Sequence, residues 1–427
     1  MDTLISSGIF KQNHIPKSFF FFKQQQHLAQ DIVVLQALVR PRLKIAIVTE
    51  TWPPEVNGVA HSLLHLSQGL QKNGHKILLI RPEQRGQCDQ FRPNQECLVK
   101  AQKIPRYPSL QFGWPQILKV TQALDEFAPD VLHIVTEGPL GFAVLHVAKN
   151  KKIPVSSGFH SPFQDFSRFF DLAFLLKPIQ AYLRWFHNNT QLTCVPSRDT
   201  QRALIEFGVT CPLTVVGRGV DVDQFTPQLR SYTLRQQWGV TDDTSVMLYV
   251  GRLSPEKQIE LIIQNYLAMQ HTAQNVRLVI VGDGPQRETL MALSQNSDII
   301  FTGPLTGRAL ATVYASADVF VFASQVETFG NVVLEAMASG LAVIAYDYAA
   351  AHLYIKHKQT GWLAPLGDHV GLGQYMRQLP HHKILKQMGH QAREMACQVG
   401  WQHPIQQFEQ ALYAVANSQI MCSESSL

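Results

Sequence analysis

Leu43-Lys-Ile-Ala-Ile-Val48 is followed by Trp52-Pro-Pro54 and Asn57-Gly58, then by Val59 to Lys72, Asn73-Gly74 and Lys76 to Ile80. The first run is short, apolar and β-branched, as a strand buried on both faces of a parallel sheet must be. Leu63, Leu66 and Leu70 recur at helical spacing, and Asn73-Gly74 stops that helix. A strand, a helix and a second strand in this order form a βαβ unit, whose crossover is right-handed.

The unit repeats along the chain. Val131 to Val135, Pro154 to Gly158 and Leu192 to Val195 read as further strands. A second series runs through Ser245 to Val250, Val276 to Val281, Val319 to Phe322 and Leu341 to Ala345. Strands alternating with helices predict an α/β protein of two doubly wound, Rossmann-like domains facing across a cleft. The expected division is an N-terminal extension over 1–42, a first domain over 43–213 and a second over 214–395. A C-terminal helix over 396–418, packing back on the first domain, and a tail over 419–427 complete it. The join falls at Gly217-Arg-Gly-Val-Asp221, where two glycines break the pattern.

Composition agrees with this size and class. The 427 residues are 45% hydrophobic and 16% charged, which excludes a disordered chain. Lys and Arg number 37 against 32 Asp and Glu, a surplus of 37 − 32 = +5. That is too dilute to argue for nucleic acid. It permits a phosphorylated ligand or a peripheral contact with an anionic membrane. No apolar run approaches the ~18 residues of a membrane span. The six cysteines (Cys88, Cys97, Cys194, Cys211, Cys397 and Cys422) have no zinc spacing and read as reduced thiols in the cytoplasm. No metal or other cofactor is expected.

In open parallel sheets ligands sit beyond the carboxyl ends of the strands. Asn57, Gly58, Glu137, His160, Gly251, Arg252, Gly282, Gly284 and Glu327 all follow strands. In Ser324-Gln-Val-Glu327-Thr-Phe329-Gly330-Asn331-Val332-Val-Leu-Glu335, a loop carboxylate precedes one in the second helical turn. Helical side chains lean toward the N-terminus, so Glu335 can face the same cleft, where a carboxylate suits a ribose diol. The amides of the first turn suit a phosphate, and Gly330 admits a ligand to the backbone. In Gly251-Arg252-Leu-Ser-Pro255-Glu-Lys257, two cations open a helix near Pro255, where the macrodipole disfavours them unless an anion binds. Gly282-Asp-Gly284-Pro285 is half of a dinucleotide fingerprint, with Arg287 where the third glycine belongs. It reads as a tight turn or a nucleotide contact. The aromatic and basic stretch from Arg168 to Phe186 reads as a helix packed under the cleft, with membrane contact as the alternative.

Together, Ile47 to Val59, Gly217 to Asp221, Gly251 to Lys257, Gly282 to Pro285 and Glu327 to Gly340 make the chain from about Leu43 to about Asn417 resemble the retaining glycosyltransferases of family 4, which have the GT-B fold. Gly330 to Glu335 with Ala345-Tyr-Asp-Tyr-Ala-Ala350 looks most like GDP-mannose-dependent α-mannosyltransferases. The resemblance implies a metal-independent transfer of a hexose from a nucleotide-diphospho-sugar to a lipid or glycan acceptor. It implies that Arg252 and Lys257 hold the diphosphate and Glu335 the ribose. Glu327, with the Phe329-Gly330-Asn331-Val332 backbone, would hold the sugar. His160 would lie near that sugar, Leu305 would line the base pocket, and Gly58 would let its loop close on the phosphates. Rival readings are a UDP-sugar-dependent lipid glycosyltransferase, a nucleotide-sugar 2-epimerase and a catalytically silent sugar-nucleotide-binding partner. Residues 1–42 match nothing in the family pattern.

Overall fold

The structure, a computed structural model, describes residues 41–55, 57–84, 90–104, 107–160, 176–269 and 275–424. The first forty residues of the expected extension, Cys88, residues 168–175 of the Arg168 to Phe186 stretch and the end of the tail lie outside these residues.

The first lobe carries a seven-stranded parallel sheet in the order β3-β2-β1-β6-β7-β8-β9. These strands are β1 (Lys44–Val48), β2 (Lys76–Pro82), β3 (Gln95–Val99), β6 (Val131–Ile134), β7 (Val155–Gly158), β8 (Leu192–Val195) and β9 (Leu213–Val215). A separate antiparallel pair joins β4 (Ala101–Ile104) to β5 (Tyr107–Gly113). The second lobe carries six parallel strands in the order β12-β11-β10-β13-β14-β15. They are β10 (Ser245–Val250), β11 (Val276–Val281), β12 (Ile300–Gly303), β13 (Val319–Phe322), β14 (Ala342–Tyr346) and β15 (Gly361–Ala364). Each order reverses between the strand pairs β1/β6 and β10/β13, so each lobe has its crevice there. The central strands are buried along their whole length, which is why they read as unbroken apolar runs.

Helix α1 (Gly58–Lys72) begins where Asn57 caps it, accepting from Ala60 N at 2.8 Å. It buries Leu63, Leu66 and Leu70. Helices α2 (Ile117–Phe127), α3 (Pro139–Asn150) and α4 (Leu176–Asn188) follow in the first lobe, α5 (Ile259–Met269) and α6 (Asn331–Ala338) in the second. In α4, Leu183 and Phe186 are buried while Trp185 stays 39% exposed under the Lys149 ammonium. The last helix, α7 (Gln402–Glu424), leaves the second lobe and packs on the first. Glu409 accepts from His75 at 2.7 Å, and Phe408 meets the His133 ring edge-on at 4.7 Å.

The two crossings between the lobes run side by side. Val220 N donates to Val399 O at 2.9 Å, and Gly217 N donates to Gln407 Oε1 at 3.0 Å. A Cβ on Gly219 would come within 2.6 Å of Trp401 N, so only glycine lets the strands touch. Trp401 in turn stacks on His65 of α1 at 4.6 Å.

One expectation needs correction. No α-helix opens at Pro255. Pro255–Lys257 is a 3₁₀ turn, Gln258 is left-handed at φ +50°, and α5 starts at Ile259. Lys257 therefore stands off the end of a helix and is not part of its first turn. Gly251, Gly282 and Gly284 stand where two loops touch, as the tight-turn reading of Gly282 to Pro285 requires. A Cβ on Gly282 would lie 1.9 Å from Gly251 O, and one on Gly284 2.4 Å from Leu253 O. The loop after β11 crosses the loop after β10 in direct backbone contact. Gly282→Ala adds the strain of φ +139° to that clash. It is expected to lower stability by roughly 2–4 kcal/mol, read as a fall in urea midpoint at unchanged m-value.

Candidate active site

The loop after β10, the loop after β13 and the start of α6 form one wall of the cleft. Lys257 Nζ donates to Glu327 Oε1 at 2.5 Å, with the two side chains only 17% and 14% exposed. The ammonium also reaches Ser324 Oγ at 3.3 Å and Val326 O at 3.4 Å. Gln325 N donates to Glu256 O, which ties the two loops together. Arg252, on the same loop, is exposed and forms no ion pair with any described residue.

Glu327 leads directly to the N-terminus of α6. Gly330 caps that helix at φ +88°, and a Cβ there would lie 3.7 Å from Glu327 Cγ. Its glycine is required by the backbone angle more than by space. Tyr348 Oη donates to Glu327 O at 2.8 Å, and Ala350 N donates to Phe329 O. Between them Ala349 is left-handed at φ +52°, a strained conformation beside the recess formed by Phe322, Glu327, Phe329 and Tyr346.

Across the cleft, α1 presents its own N-terminus. Asn331 Nδ2 donates to Ser62 Oγ at 3.3 Å, and a Cβ on Gly58 would touch Asn331 Nδ2 at 3.6 Å. Two helix N-termini thus approach each other from opposite lobes, each bringing the partial positive charge of its dipole. Asn331 Oδ1 is buried without a partner among the described residues. Asn57 is committed to its loop: it caps α1, and its Nδ2 donates to Thr51 Oγ1 at 2.6 Å.

Glu335 does not cap its helix. It accepts from Tyr314 Oη at 3.0 Å and sits in a half-buried position where burial pushes its carboxyl up to about 7, against the lowering effect of that hydrogen bond. Val332 is half-buried, Phe329 is core, and Leu305 packs partly against the core of the second lobe.

On the first lobe His160 follows β7 and accepts at Nδ1 from Arg218 Nη2 at 3.1 Å. Burial, then the neighbouring Arg218, His133 and His187, hold its imidazole well below the usual histidine range. Glu137, a candidate from its position after β6, is instead a buried partner of His187 Nε2 at 3.2 Å. Sequence reasoning passed over Glu50, Tyr314, Tyr348 and Arg218. Glu50 accepts from Leu140 N at 2.9 Å, and burial raises its carboxyl to about 7. It follows β1, so the strand-end rule would have found it. No sequence spacing links the others to their partners. Among the described residues no group of His, Cys, Asp and Glu is arranged to hold a metal ion.

Because Glu335 is raised above the ordinary carboxylate range, the folded state favours its protonated form. Its ionisation therefore lowers stability as pH rises from the unfolded value toward about 7. Glu335→Gln should melt above the parent at pH 8, and the gap should close as the pH falls through 7 toward 5. Parallel thermal melts across that range check it; a gap independent of pH contradicts the assignment.

Residues 56–224 match the model of Glycosyltransferase Family 4, and residues 231–395 match that of glycosyl transferases group 1. The chain is 34% identical over 330 residues to a GDP-mannose-dependent alpha-mannosyltransferase of Mycobacterium tuberculosis, covering 76% of this chain and 85% of that one. It is 28% identical over 389 residues to a sulfoquinovosyl transferase of Arabidopsis thaliana, covering 89% and 75%. Among solved structures, sucrose-phosphate synthase from Thermosynechococcus elongatus superposes with a TM-score of 0.70 at 19% identity, over 90% of this chain and all of that one. Anabaena HepE in complex with UDP and glucose gives 0.64 at 20%, over the same shares. The two crossed lobes are the GT-B fold, and the chain belongs to glycosyltransferase family 4: it is a glycosyltransferase.

Proposed function

We propose that the enzyme transfers a mannosyl group, with retention, from GDP-mannose to a hydroxyl of a lipid or glycan acceptor. The observation that carries the reading is the convergence of the α1 and α6 N-termini beside Lys257 and the unpaired Arg252. Amides, an ammonium and a guanidinium directed at one place suit the diphosphate of a sugar nucleotide. As the anomeric C–O bond breaks, negative charge grows on that diphosphate. Preorganised donors stabilise it more in the transition state than in the ground state. Lys257 is the residue most directly in this position. It is held by Glu327 in the free enzyme and turns to the phosphates when they arrive. Glu327 is then released to accept from sugar hydroxyls, with the Phe329-Gly330-Asn331-Val332 backbone beside it. Glu335, short of partners, accepts from the ribose diol, and Leu305 borders the base.

The mannosyl choice rests on the relatives: three GDP-mannose-dependent enzymes at 34% identity stand above lipid glycosyltransferases at 27–28%. The acceptor side belongs to the first lobe. Its α2–α3 edge exposes Trp114, Ile117 and Leu118, at 53%, 55% and 87%, together with Phe142. Such a rim suits a peripheral contact with lipid, with the acceptor lifted from an anionic surface. No helix of the described residues is long and apolar enough to cross a membrane.

Thermal-shift titration with GDP, UDP and ADP tests the donor. Stabilisation by GDP alone supports the reading, since a ligand at ~100 Kd adds ~2.7 kcal/mol. Stabilisation by UDP alone replaces GDP-mannose with a UDP-sugar. In acceptor-dependent release of nucleoside diphosphate, Lys257→Ala should lower kcat by about 10²–10³ at a temperature where the variant is fully folded, with a melting temperature lowered because Glu327 loses its partner. A normal kcat with a raised KM would remove Lys257 from the transition state.

A further inference from the structure

Arg218 is a guanidinium in the wrong place for an ordinary ion pair. It is only 6% exposed, and no carboxylate among the described residues pairs with it. Burial pulls it down to about 10. Its Nη1 donates to Val216 O and Gly217 O, both at 3.0 Å, and its Nη2 donates to His160 Nδ1 at 3.1 Å. A buried charge without a counter-charge is unfavourable unless its hydrogen bonds serve something.

The chemistry of the bond is unambiguous. A guanidinium only donates, so Nδ1 of His160 must be the unprotonated nitrogen. The ring proton then resides on Nε2. Nε2 lies over the α-carbon of Gly158, where a Cβ would come within 2.6 Å of it. Gly158 thus leaves the space the ring occupies. Arg218 is itself set by the lobe crossing. Gln407 of α7 holds Gly217 on one side, and Trp401 backs Gly219 on the other.

We propose that Arg218 is a positioning residue for His160: the hinge guanidinium fixes the ring as the neutral Nε2–H tautomer and couples its orientation to the conformation of the lobe crossing. Among the described residues, the charged and titratable groups facing the ring are Arg218 from the hinge, His133 from β6 and His187 from α4, with the Cys194 thiol of β8 also lining the cavity. His187 is itself paired with Glu137. With its one lone-pair nitrogen, Nδ1, occupied by Arg218 and the proton on Nε2, His160 works as an N–H donor and not as a general base. The effect on turnover rests on the reading that His160 lies beside the transferred sugar; the tautomer does not.

Ring ¹⁵N spectra of histidine-labelled enzyme, with the His160 signals identified by their loss in His160→Ala, test the tautomer directly. The parent should show a single Nε2–H form between about pH 5.5 and 8. Arg218→Met should give mixed tautomers and protonation of His160 toward the acid end, because the nearby cation is gone. Its kcat should fall about tenfold or more with donor KM within about twofold, and an acid limb should appear in the pH profile. Arg218→Lys, which keeps a buried donor, should recover part of both; if the Met variant does not fold, Arg218→Gln carries the test, since its amide can accept from Nδ1–H as well as donate to Nδ1. The double variant Arg218→Met/His160→Ala should be no slower than His160→Ala alone. An unchanged His160 tautomer in the Met variant, or in the Gln variant where Met does not fold, overturns the proposal, and so does an additive loss in the double variant. If His160→Ala turns over normally, the sugar-side role of His160 fails, while the spectra still decide on Arg218.

Discussion

A single short contact organises the donor wall: the ammonium of Lys257 against the carboxylate of Glu327 at 2.5 Å, both largely shielded from water. Neither charge would be tolerable alone at that depth. Together they hold the loop after β10 against the loop after β13, and through Glu327 they reach the N-cap of α6. Under the proposed function the pair is a resting state: a diphosphate would compete for the ammonium and sugar hydroxyls would donate to the carboxylate set free, so binding would exchange partners without leaving either charge bare.

The hinge imposes the second constraint. Gly219 allows two chain crossings to touch, and α7 returns to the first lobe with Phe408 and Glu409 as its anchors. The lobes are thus joined by adjacent strands and a long helix, which restricts their relative motion to something close to rotation about that line. The contact farther out, Asn331 to Ser62, is a single hydrogen bond of 3.3 Å and is easily broken. Strong contacts at the axis and weak ones at the mouth are what opening and closing require.

The architecture was legible in the sequence because a parallel strand buried on both faces has little freedom in composition. Ile45 to Val48, Val246 to Val250 and Val319 to Phe322 are apolar for that reason alone. The residues at strand ends could be found by rule, and Lys257 and Glu327 do meet there. What could not be read was partnership across distance. Tyr314 to Glu335 spans 21 positions, Lys257 to Glu327 spans 70, and Arg218 to His160 spans 58. Glu137 shows the converse: its position after β6 matched the rule, yet His187 lay close enough to claim it. The helix expected at Pro255 failed on one backbone angle, the left-handed Gln258, which no apolar pattern encodes.

The placement of uncompensated charge separates site from scaffold. In the second lobe's core Asp318 accepts from Arg230, Arg235 and Val246 N, so each charge there has its counter-charge, and only Arg235 Nε is left without a partner among the described residues. On the first lobe His75 and Glu409 close another. Around the cleft the accounts stay open: Arg252 has no counter-charge, Glu335 has one tyrosine for a carboxylate, and the buried Asn331 Oδ1 has no donor. Asn331 Oδ1 and Glu335, held on a rigid helix, are short of partners where they are shielded from water, and under the proposed function sugar-nucleotide hydroxyls would donate to both; the exposed Arg252, solvated as it stands, would exchange water for phosphate oxygens.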